Sequence, residues 1–186
     1  MKPVNAVIAE TRRWLERSVI GLGLCPFAAR VYDAGLVRFR LSRRRSAAGL
    51  LSDLCGELLR LNQKDPGECE TTLLIHPFVL TRFADYNEFL EVCDGALRRL
   101  GLEGEVQIAS FHPDYRFADT NPGDIENFTN RSPYPMLHLL REASVERAAA
   151  SVADPDEIYR RNIRTMRALG HAGWDALFTQ TEQAPK

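Results

Sequence analysis

The sequence predicts an α/β fold: a small, largely parallel sheet of three strands, flanked by about five helices, in a single domain over residues 1–186. Helical and strand-like patterns alternate along the first 111 residues, as they do in βαβ crossover units. A chain of 186 residues suits one domain with its own hydrophobic core. Because three strands are few for a doubly wound sheet, a mixed sheet in an α+β arrangement is the alternative.

The chain opens with two helix patterns and a strand pattern. Apolar residues recur at helical spacing over residues 5–20, and Gly21 and Gly23 end this helix. Pro26 suits the first position of a second, short helix, because a helix has no partner for an N–H at that position. Residues 36–41 alternate apolar and basic side chains, which predicts a half-buried first strand.

Two more pairs of helix and strand follow. Leucines at helical spacing predict a helix over residues 46–62, and the apolar residues 71–76 predict the second strand. The pattern over residues 83–100 predicts a further helix, which Gly101 ends, and residues 105–111 predict the third strand. With right-handed crossovers, the three strands share one direction and their carboxyl ends meet at one sheet edge, where open α/β sheets bind ligands.

The last part of the chain contains a long loop and two helix patterns. Residues 111–135 have no periodicity, yet they are rich in aromatic side chains, which disordered segments lack. Because long loops in compact domains are usually functional or disordered, we interpret this one as the wall of a site. Pro135 predicts the start of a helix over residues 135–151, and a final helix covers residues 155–169. The tail after residue 180 is expected to be frayed.

The composition narrows the class of protein. The net charge is −1, so no overall positive field favours nucleic acid or an anionic membrane. No run of 18 apolar residues is present and the amino terminus lacks a signal-peptide layout, which predicts a cytoplasmic protein. The four cysteines form no CxxC pair, which argues against a zinc ribbon or a thioredoxin-type motif. These features predict neither a cofactor nor an oligomeric state.

Four blocks of the sequence carry a resemblance to a known family. They are LCPFA (24–28), TTLLIHP (71–77), QIASFHPDYRF (107–117) and NRSPYPMLHLLREAS (130–144). They resemble the signature blocks of an uncharacterised bacterial family, one of the domains of unknown function, over about residues 14–170. The resemblance implies a single-domain bacterial protein, and it assigns no activity and no functional residue.

Cys25 is the candidate nucleophile. It directly precedes Pro26, so we expect its thiol near the amino terminus of a helix, where unpaired amides and the helix dipole lower a thiol pKa. A nucleophilic cysteine needs a nearby base, and His112 or His138 could supply it. The alternative is a small buried residue beside a turn.

His112 and Asp114 are the candidate acid–base pair. They follow the third predicted strand and are two residues apart, so in extended geometry they share a face. Such a pair can act as a general base with its orienting carboxylate, or as two metal ligands. The alternative is a turn in which the aspartate bonds its own backbone. His138 is predicted on the helix that Pro135 opens, with Arg141 on the same face; it lines a wet pocket or a solvated surface.

Arginines around the loop predict an anionic small-molecule ligand. Arg116, Arg131 and Arg141 carry planar guanidinium groups that bind carboxylate or phosphate with two hydrogen bonds. The alternative is that they pair with acidic residues of the loop and hold it in place. No pair such as HExxH predicts a metal site. The candidate ligand-binding residues are Arg116, Arg131, Arg141, Asn130, Tyr134 and His76.

These candidates predict an enzyme acting on a small anionic metabolite. His112 and Asp114 would form its acid–base pair, with Cys25 as nucleophile and His138 close by. A non-catalytic module that binds a ligand or a protein is one alternative, and a metal-binding protein is another. The catalytic interpretation requires that the segments around residues 25, 112 and 138 meet at one accessible hollow.

Overall fold

The computed structural model describes residues 3–149 and 155–179, which form a mixed sheet of four strands covered by helices on both faces. The α/β class is confirmed, whereas a three-stranded, largely parallel sheet is wrong. Within the described ranges, the helices are α1 (Val4–Trp14), α2 (Ala28–Asp33), α3 (Ala47–Gln63), α4 (Phe83–Leu100), α5 (Glu142–Ala149) and α6 (Pro155–Thr179). The strands are β1 (Val37–Leu41), β2 (Thr71–Ile75), β3 (Val106–Phe111) and β4 (Met136–Arg141).

The strand order in the sheet is β1-β2-β4-β3. β1 and β2 are parallel, and β4 runs antiparallel to both of its neighbours, β2 and β3. The three strands that the sequence predicts therefore do run in one direction, but β3 does not pair with β2. His138 lies opposite Leu73 on one side and Ala109 on the other, at the centre of the sheet.

The prediction of a helix over residues 135–151 is wrong for its first half, which is β4. Every position of this strand is buried or half-buried in the structure. Its sequence, MLHLLR, is accordingly mostly apolar and shows no alternation of apolar and polar residues. A short apolar run of this kind fits a buried strand and a buried helix equally well. Helix α5 begins only at Glu142, and residues 150 and 151 of the predicted helix lie outside the described ranges.

Side chains alternate between the two faces of the sheet, and each face has its own core. One face, the helix-pair face, packs against α3 and α4; Leu74, Leu137 and Leu139 point to it. The other face, the α1 face, packs against α1 and the residues that follow it; Leu73 and Met136 point to it. His138 lies on the α1 face, because it alternates with Leu137 and Leu139.

The first helix widens before it ends. α1 continues directly into a π-helical segment, Leu15–Ile20, and the amide of Leu24 then bonds the carbonyl of Val19 at 2.9 Å. π-Helical segments often occur at functional sites, since the wider turn changes the direction of the side chains. Here it brings the residues before Cys25 against the sheet. At the other end of the chain, Gly170 (φ 62°) interrupts α6 one residue after the predicted end of that helix.

Residues 111–135 form the long irregular connection that the sequence predicts, with one 3₁₀ segment at Ile125–Thr129. The buried side chain of Asn127 holds this loop together. Its Oδ1 accepts hydrogen bonds from the Phe117 amide (3.0 Å) and the Thr120 hydroxyl (2.9 Å). Its Nδ2 donates to the carbonyl of Asn121 at 2.8 Å. The loop is thus ordered from within and can form a fixed wall.

β1 is an edge strand with a basic outer surface. The guanidinium groups of Arg38 and Arg40 both lie within 3.3 Å of the Glu57 carboxylate on α3, and Arg44 pairs with Asp53 on the same helix. Charged side chains on an edge strand oppose pairing with another chain. Among the helices of the described ranges, none combines the length and the apolar character needed to cross a bilayer.

Candidate functional site

A cavity of about 260 Å³ lies between the α1 face of the sheet and the residues that follow α1. We call it the Cys25 cavity. Among its described lining residues, Cys25 and His138 are the two with ionisable side chains. The ring of Phe111 lies 5.2 Å from that of Trp14 and 6.2 Å from that of His138, between centroids. Its apolar walls include Leu15, Val19, Leu73, Ala109, Leu140 and Val145.

Cys25 is half-buried in this cavity, just before the turn that leads into α2. Burial raises the pKa of its thiol, because the apolar surroundings disfavour the thiolate. The amides of Phe27 and Ala28 and the charge of Arg161 act in the opposite direction, but they do not outweigh burial. The prediction that the helix start lowers the Cys25 pKa is therefore wrong; α2 has only six residues, and the thiol lies against hydrocarbon.

His138 lines the same cavity from β4, and its tautomer can be derived from its hydrogen bonds. Nε2 lies 2.7 Å from the hydroxyl oxygen of Thr71, and that oxygen lies 2.6 Å from the carbonyl of Leu139. The single hydroxyl proton is donated to the carbonyl, so Nε2 must carry a proton and donate it to Thr71. Nδ1 is then the basic atom, and it has no partner among the described residues.

Burial keeps the His138 imidazole neutral, lowering its pKa to about 4. The helical position predicted for His138 is wrong, and so is the shared face with Arg141, because strand alternation puts Arg141 on the helix-pair face. The cavity therefore combines a protonated thiol with a neutral imidazole whose free nitrogen is a proton acceptor.

His112 does not reach this cavity. It is fully buried on the helix-pair face, with its ring 5.4 Å from that of Phe83 and 5.1 Å from that of Tyr86. Nδ1 accepts a hydrogen bond from the Asp114 amide at 3.0 Å, and Nε2 lies 3.3 Å from the carbonyl of Leu80. The Asp114 contact is thus made through its backbone amide rather than its carboxylate, and the His112 ring, not the aspartate side chain of the alternative, bonds the backbone of this turn. The charge of Asp114 still acts on His112 and opposes the lowering of its pKa by burial.

His76 lies beside His112, as the order of elements predicts, because β2 and β3 end at the same sheet edge. It is fully buried and stacks on Tyr86 with centroids 5.8 Å apart. Its Nδ1 donates to the carbonyl of Val79 at 3.1 Å, and burial lowers its pKa to about 4. His76 and His112 thereby hold the turn around Leu80, a residue in the left-handed region (φ 55°).

Two of the three arginines proposed as ligand-binding residues hold the backbone instead. Arg131 donates from Nε to the carbonyl of Tyr115 (3.3 Å) and from a terminal nitrogen to that of Pro122. Its guanidinium also lies 4.1 Å from the centre of the Phe128 ring. Arg131 therefore holds the loop in place through carbonyls rather than through the acidic side chains of the alternative. Arg116 is exposed.

Arg141 links three segments on the helix-pair face. One terminal nitrogen of its guanidinium donates to the carbonyls of Leu61 and Lys64 at 2.6 Å and of Cys69 at 3.2 Å, so its two protons are shared among three acceptors. These carbonyls lie at the carboxyl end of α3 and just before β2, so the positive charge also meets the negative end of the helix dipole. Arg141 is a structural clamp between the helix and the strand.

Replacing Arg141 by Met should destabilise the protein by about 3 kcal/mol, because three carbonyls lose a charged donor at once. Urea denaturation measures the free energy of unfolding. The matched control is Arg116→Met, since Arg116 is exposed and has no hydrogen-bond partner among the described residues; its effect should stay within about 0.5 kcal/mol. Equal effects of the two substitutions would contradict the clamp.

Two further hollows adjoin the Cys25 cavity. One, the Asn130 cavity, has a volume of about 240 Å³ and shares Cys25 and Phe111 with it. Asn130 lies in its wall and donates to the carbonyl of Ser110 at 3.2 Å. The other, a groove of about 410 Å³, is lined by the loop, α1 and the end of α6, and Arg131 is part of it. Tyr134 packs on the α1 face and donates a hydrogen bond to the Glu10 carboxylate.

The structure therefore brings Cys25 and His138 together, with Asn130 next to them, and it separates them from His112 and His76 by the thickness of the sheet. Thr71 was missed by sequence reasoning. It precedes Leu73 by two residues and so shares its face, but its contact with His138 becomes visible only when residues 136–141 are recognised as a strand. In the part of the chain that the structure describes, no group of three His, Cys, Asp or Glu side chains is arranged to hold a metal ion.

Comparison with known proteins gives one match. No curated protein and no solved structure matches the chain. One family model matches residues 6–176, nearly the whole sequence, and confirms the prediction that the chain belongs to a family of unknown function. On this match, the chain belongs to DUF1415, a family described as a protein of unknown function.

Proposed function

We propose that the protein is an enzyme in which Cys25 is the nucleophile and His138 the general base, acting on a small molecule bound in the Cys25 cavity. One observation carries the proposal: a thiol and an imidazole with a free, unprotonated nitrogen line the same cavity. Thr71 supports it, because its hydrogen bond fixes the tautomer in which Nδ1 is the base. A catalytic nucleophile usually has a base beside it and a third group that orients this base.

Catalysis would begin from a neutral pair. Burial raises the pKa of Cys25 and lowers that of His138, so neither a thiolate nor an imidazolium is present at rest near pH 7. His138 would accept the thiol proton as sulfur attacks the substrate, so charge would develop only during bond formation. A positioned general base of this kind contributes about 10²- to 10⁴-fold in rate.

An anionic substrate, which the sequence predicts, would need a cation near the thiol. Arg131 and Arg141 are engaged with backbone carbonyls, so they are not part of this proposal. Arg161 is the better candidate. It donates to the carbonyl of Gly23 at 2.7 Å, and its charge acts on the Cys25 thiol. A carboxylate or phosphate at the mouth of the site would meet this exposed guanidinium.

A non-catalytic binding module for a small apolar ligand is the second candidate. The specific observation in its favour is that burial keeps the Cys25 thiol protonated, which makes it a weak nucleophile when no base assists. In that case the cavity would bind its ligand by burial of apolar surface alone.

Acyl transfer from p-nitrophenyl acetate distinguishes the two candidates. An enzyme should release a burst of p-nitrophenolate near pH 7 and carry one acetyl group, which peptide mass spectrometry should locate on Cys25. Cys25→Ala should abolish the burst while its urea midpoint stays close to that of the wild type. The matched control is Cys93→Ala, since Cys93 is buried between α3 and α4 and its loss should leave the burst unchanged. Acetylation elsewhere, or a wild-type rate equal to that of Cys25→Ala, would favour the binding module.

A further inference from the structure

We infer that the substrates are esters or thioesters of apolar carboxylic acids, with the acyl chain in the Cys25 cavity and the polar leaving group in the Asn130 cavity. The inference rests on the proposed function and adds the substrate class to it. It is carried by the different chemistry of the two hollows that meet at Cys25.

The Cys25 cavity suits a hydrocarbon chain. Apart from Cys25 and His138, its described walls are aliphatic and aromatic side chains or proline, and no charged group lies among them. At about 260 Å³ it is slightly smaller than typical ligand pockets, which fits one chain or ring rather than a whole metabolite. Burying each methylene group should raise the acylation rate about fourfold until the cavity is full, the equivalent of about 0.8 kcal/mol.

The Asn130 cavity suits a polar group. Its walls include Asn130, Thr129, Asn162 and Glu126, and Tyr159 at its rim is 58% exposed. Val19, Leu24, Cys25 and Phe111 line both hollows, so the Cys25 thiol lies at their junction. A substrate that places its carbonyl carbon at the thiol therefore has its chain on the apolar side and its leaving group on the polar side.

The bond changes in this reaction balance with water as the second substrate. The Cys25 sulfur bonds the acyl carbon while its proton passes to Nδ1 of His138. The bond between the acyl carbon and the leaving oxygen or sulfur breaks, and the proton passes to that atom, releasing an alcohol or a thiol. Water, activated by Nδ1, then attacks the thioester; Cys25 recovers its proton and a carboxylic acid leaves.

Ala109 should set the length of chain that fits. It lies directly opposite His138 on β3 and has the smallest side chain on the sheet floor of the Cys25 cavity. Leucine at this position would take up space in the cavity beside His138. Ala28, on the opposite wall, offers a second position for the same test.

The experiment compares p-nitrophenyl acetate, butyrate, hexanoate and octanoate, with each burst rate corrected for the rate of Cys25→Ala. In the wild type, the rate should rise about fourfold per methylene from acetate to a maximum. Ala109→Leu should lower the hexanoate and octanoate rates at least tenfold more than it lowers the acetate rate. Ala28→Leu should have the same effect from the other wall. The matched control is Ala84→Leu, an exposed position on α4, which should change none of the rates.

The outcomes separate this inference from the function on which it rests. A wild-type rate that does not depend on chain length would overturn the substrate class and leave the Cys25 nucleophile in place. The same holds if Ala109→Leu and Ala28→Leu, shown to be folded by circular dichroism, slow all four esters equally. If no ester acylates Cys25, this result contradicts both the proposed function and the substrate class.

Discussion

Replacing His138 by Gln should lower the rate of Cys25 acylation by about 10²- to 10⁴-fold. Glutamine can still donate a hydrogen bond to Thr71, but it has no basic nitrogen to accept the thiol proton. The loss should therefore be in reactivity rather than in folding. The burst of p-nitrophenolate from p-nitrophenyl butyrate near pH 7 measures it, and near-ultraviolet circular dichroism checks that the variant is folded. Equal rates for the variant and the wild type would rule out His138 as the base.

The pH dependence gives an independent check of the same pair. His138 must be neutral to accept a proton, so the wild-type rate should fall as the pH drops through about 4, the pKa of His138 in the folded protein. At alkaline pH, the rate should rise as the thiol ionises. The acid limb should vanish in His138→Gln, whereas the alkaline limb should persist. A wild-type profile without an acid limb would contradict proton transfer to His138.

Thr71 provides a positioning test for this site. Thr71→Val keeps the shape of the side chain but removes the hydroxyl that accepts the Nε2 proton, so the tautomer with basic Nδ1 loses its support. We expect a smaller rate loss than in His138→Gln, with the acid limb retained. Thr71→Ser restores the hydroxyl and should restore the rate, which a purely structural role of the threonine methyl group would not explain.

The second large effect concerns stability: the unfolding free energy should fall steeply between about pH 6.5 and pH 4. Burial lowers the pKa of His76 to about 4, whereas the unfolded chain has a value near 6.5. Below pH 6.5 the unfolded state therefore binds a proton that the folded state does not. The stabilisation by His76 is fully present above pH 6.5, and about 2.5 kcal/mol of it is lost by about pH 4.5.

Urea denaturation of the wild type and of His76→Gln at pH 7.5 and 4.5 measures the contribution of His76 to the unfolding free energy. Carboxyl groups also titrate in this range, so the informative quantity is the difference in acid loss between the two proteins. The variant should be less stable at pH 7.5 but should lose about 2.5 kcal/mol less on acidification. His138 adds a contribution of the same sign and of similar size, because burial also lowers its pKa to about 4. Parallel pH curves for His76→Gln and wild type would show that His76 is already protonated or exposed.

The sequence correctly predicts those elements whose pattern of residues fits either a helix or a strand, but not both. The leucine spacing of α3 and the pattern of α4 match helical periodicity over many residues, and Gly101 takes the left-handed conformation (φ 67°) that ends α4. The run that becomes β2 is short and bounded by turn residues. The long loop is identifiable because its aromatic and polar residues follow neither the helical nor the strand period. The hydrogen bonds of Asn127 to the backbone of the loop show how such residues order it.

The site could be predicted only in part, because its geometry depends on β4. Sequence patterns identify Cys25 and His138 as reactive residues, but they cannot place His138 on a strand that is buried on both faces. Without that strand, neither the register of His138 with Ala109 and Leu73 nor the contact with Thr71 can be derived. For the same reason, the sequence does not reveal that His112 and His138 point to opposite faces of the sheet.

The position of β4 also decides when this protein can fold during synthesis. Of the strands that the structure describes, β4 is the last to leave the ribosome, and among them β2 and β3 have no other partner for the edges that pair with it. A nascent chain that stops before residue 136 therefore carries two strands with unpaired amide and carbonyl groups, which invite association with other chains. Assembly of the sheet must wait for contacts between residues far apart in sequence, a slow step, so incomplete translation products should aggregate rather than fold.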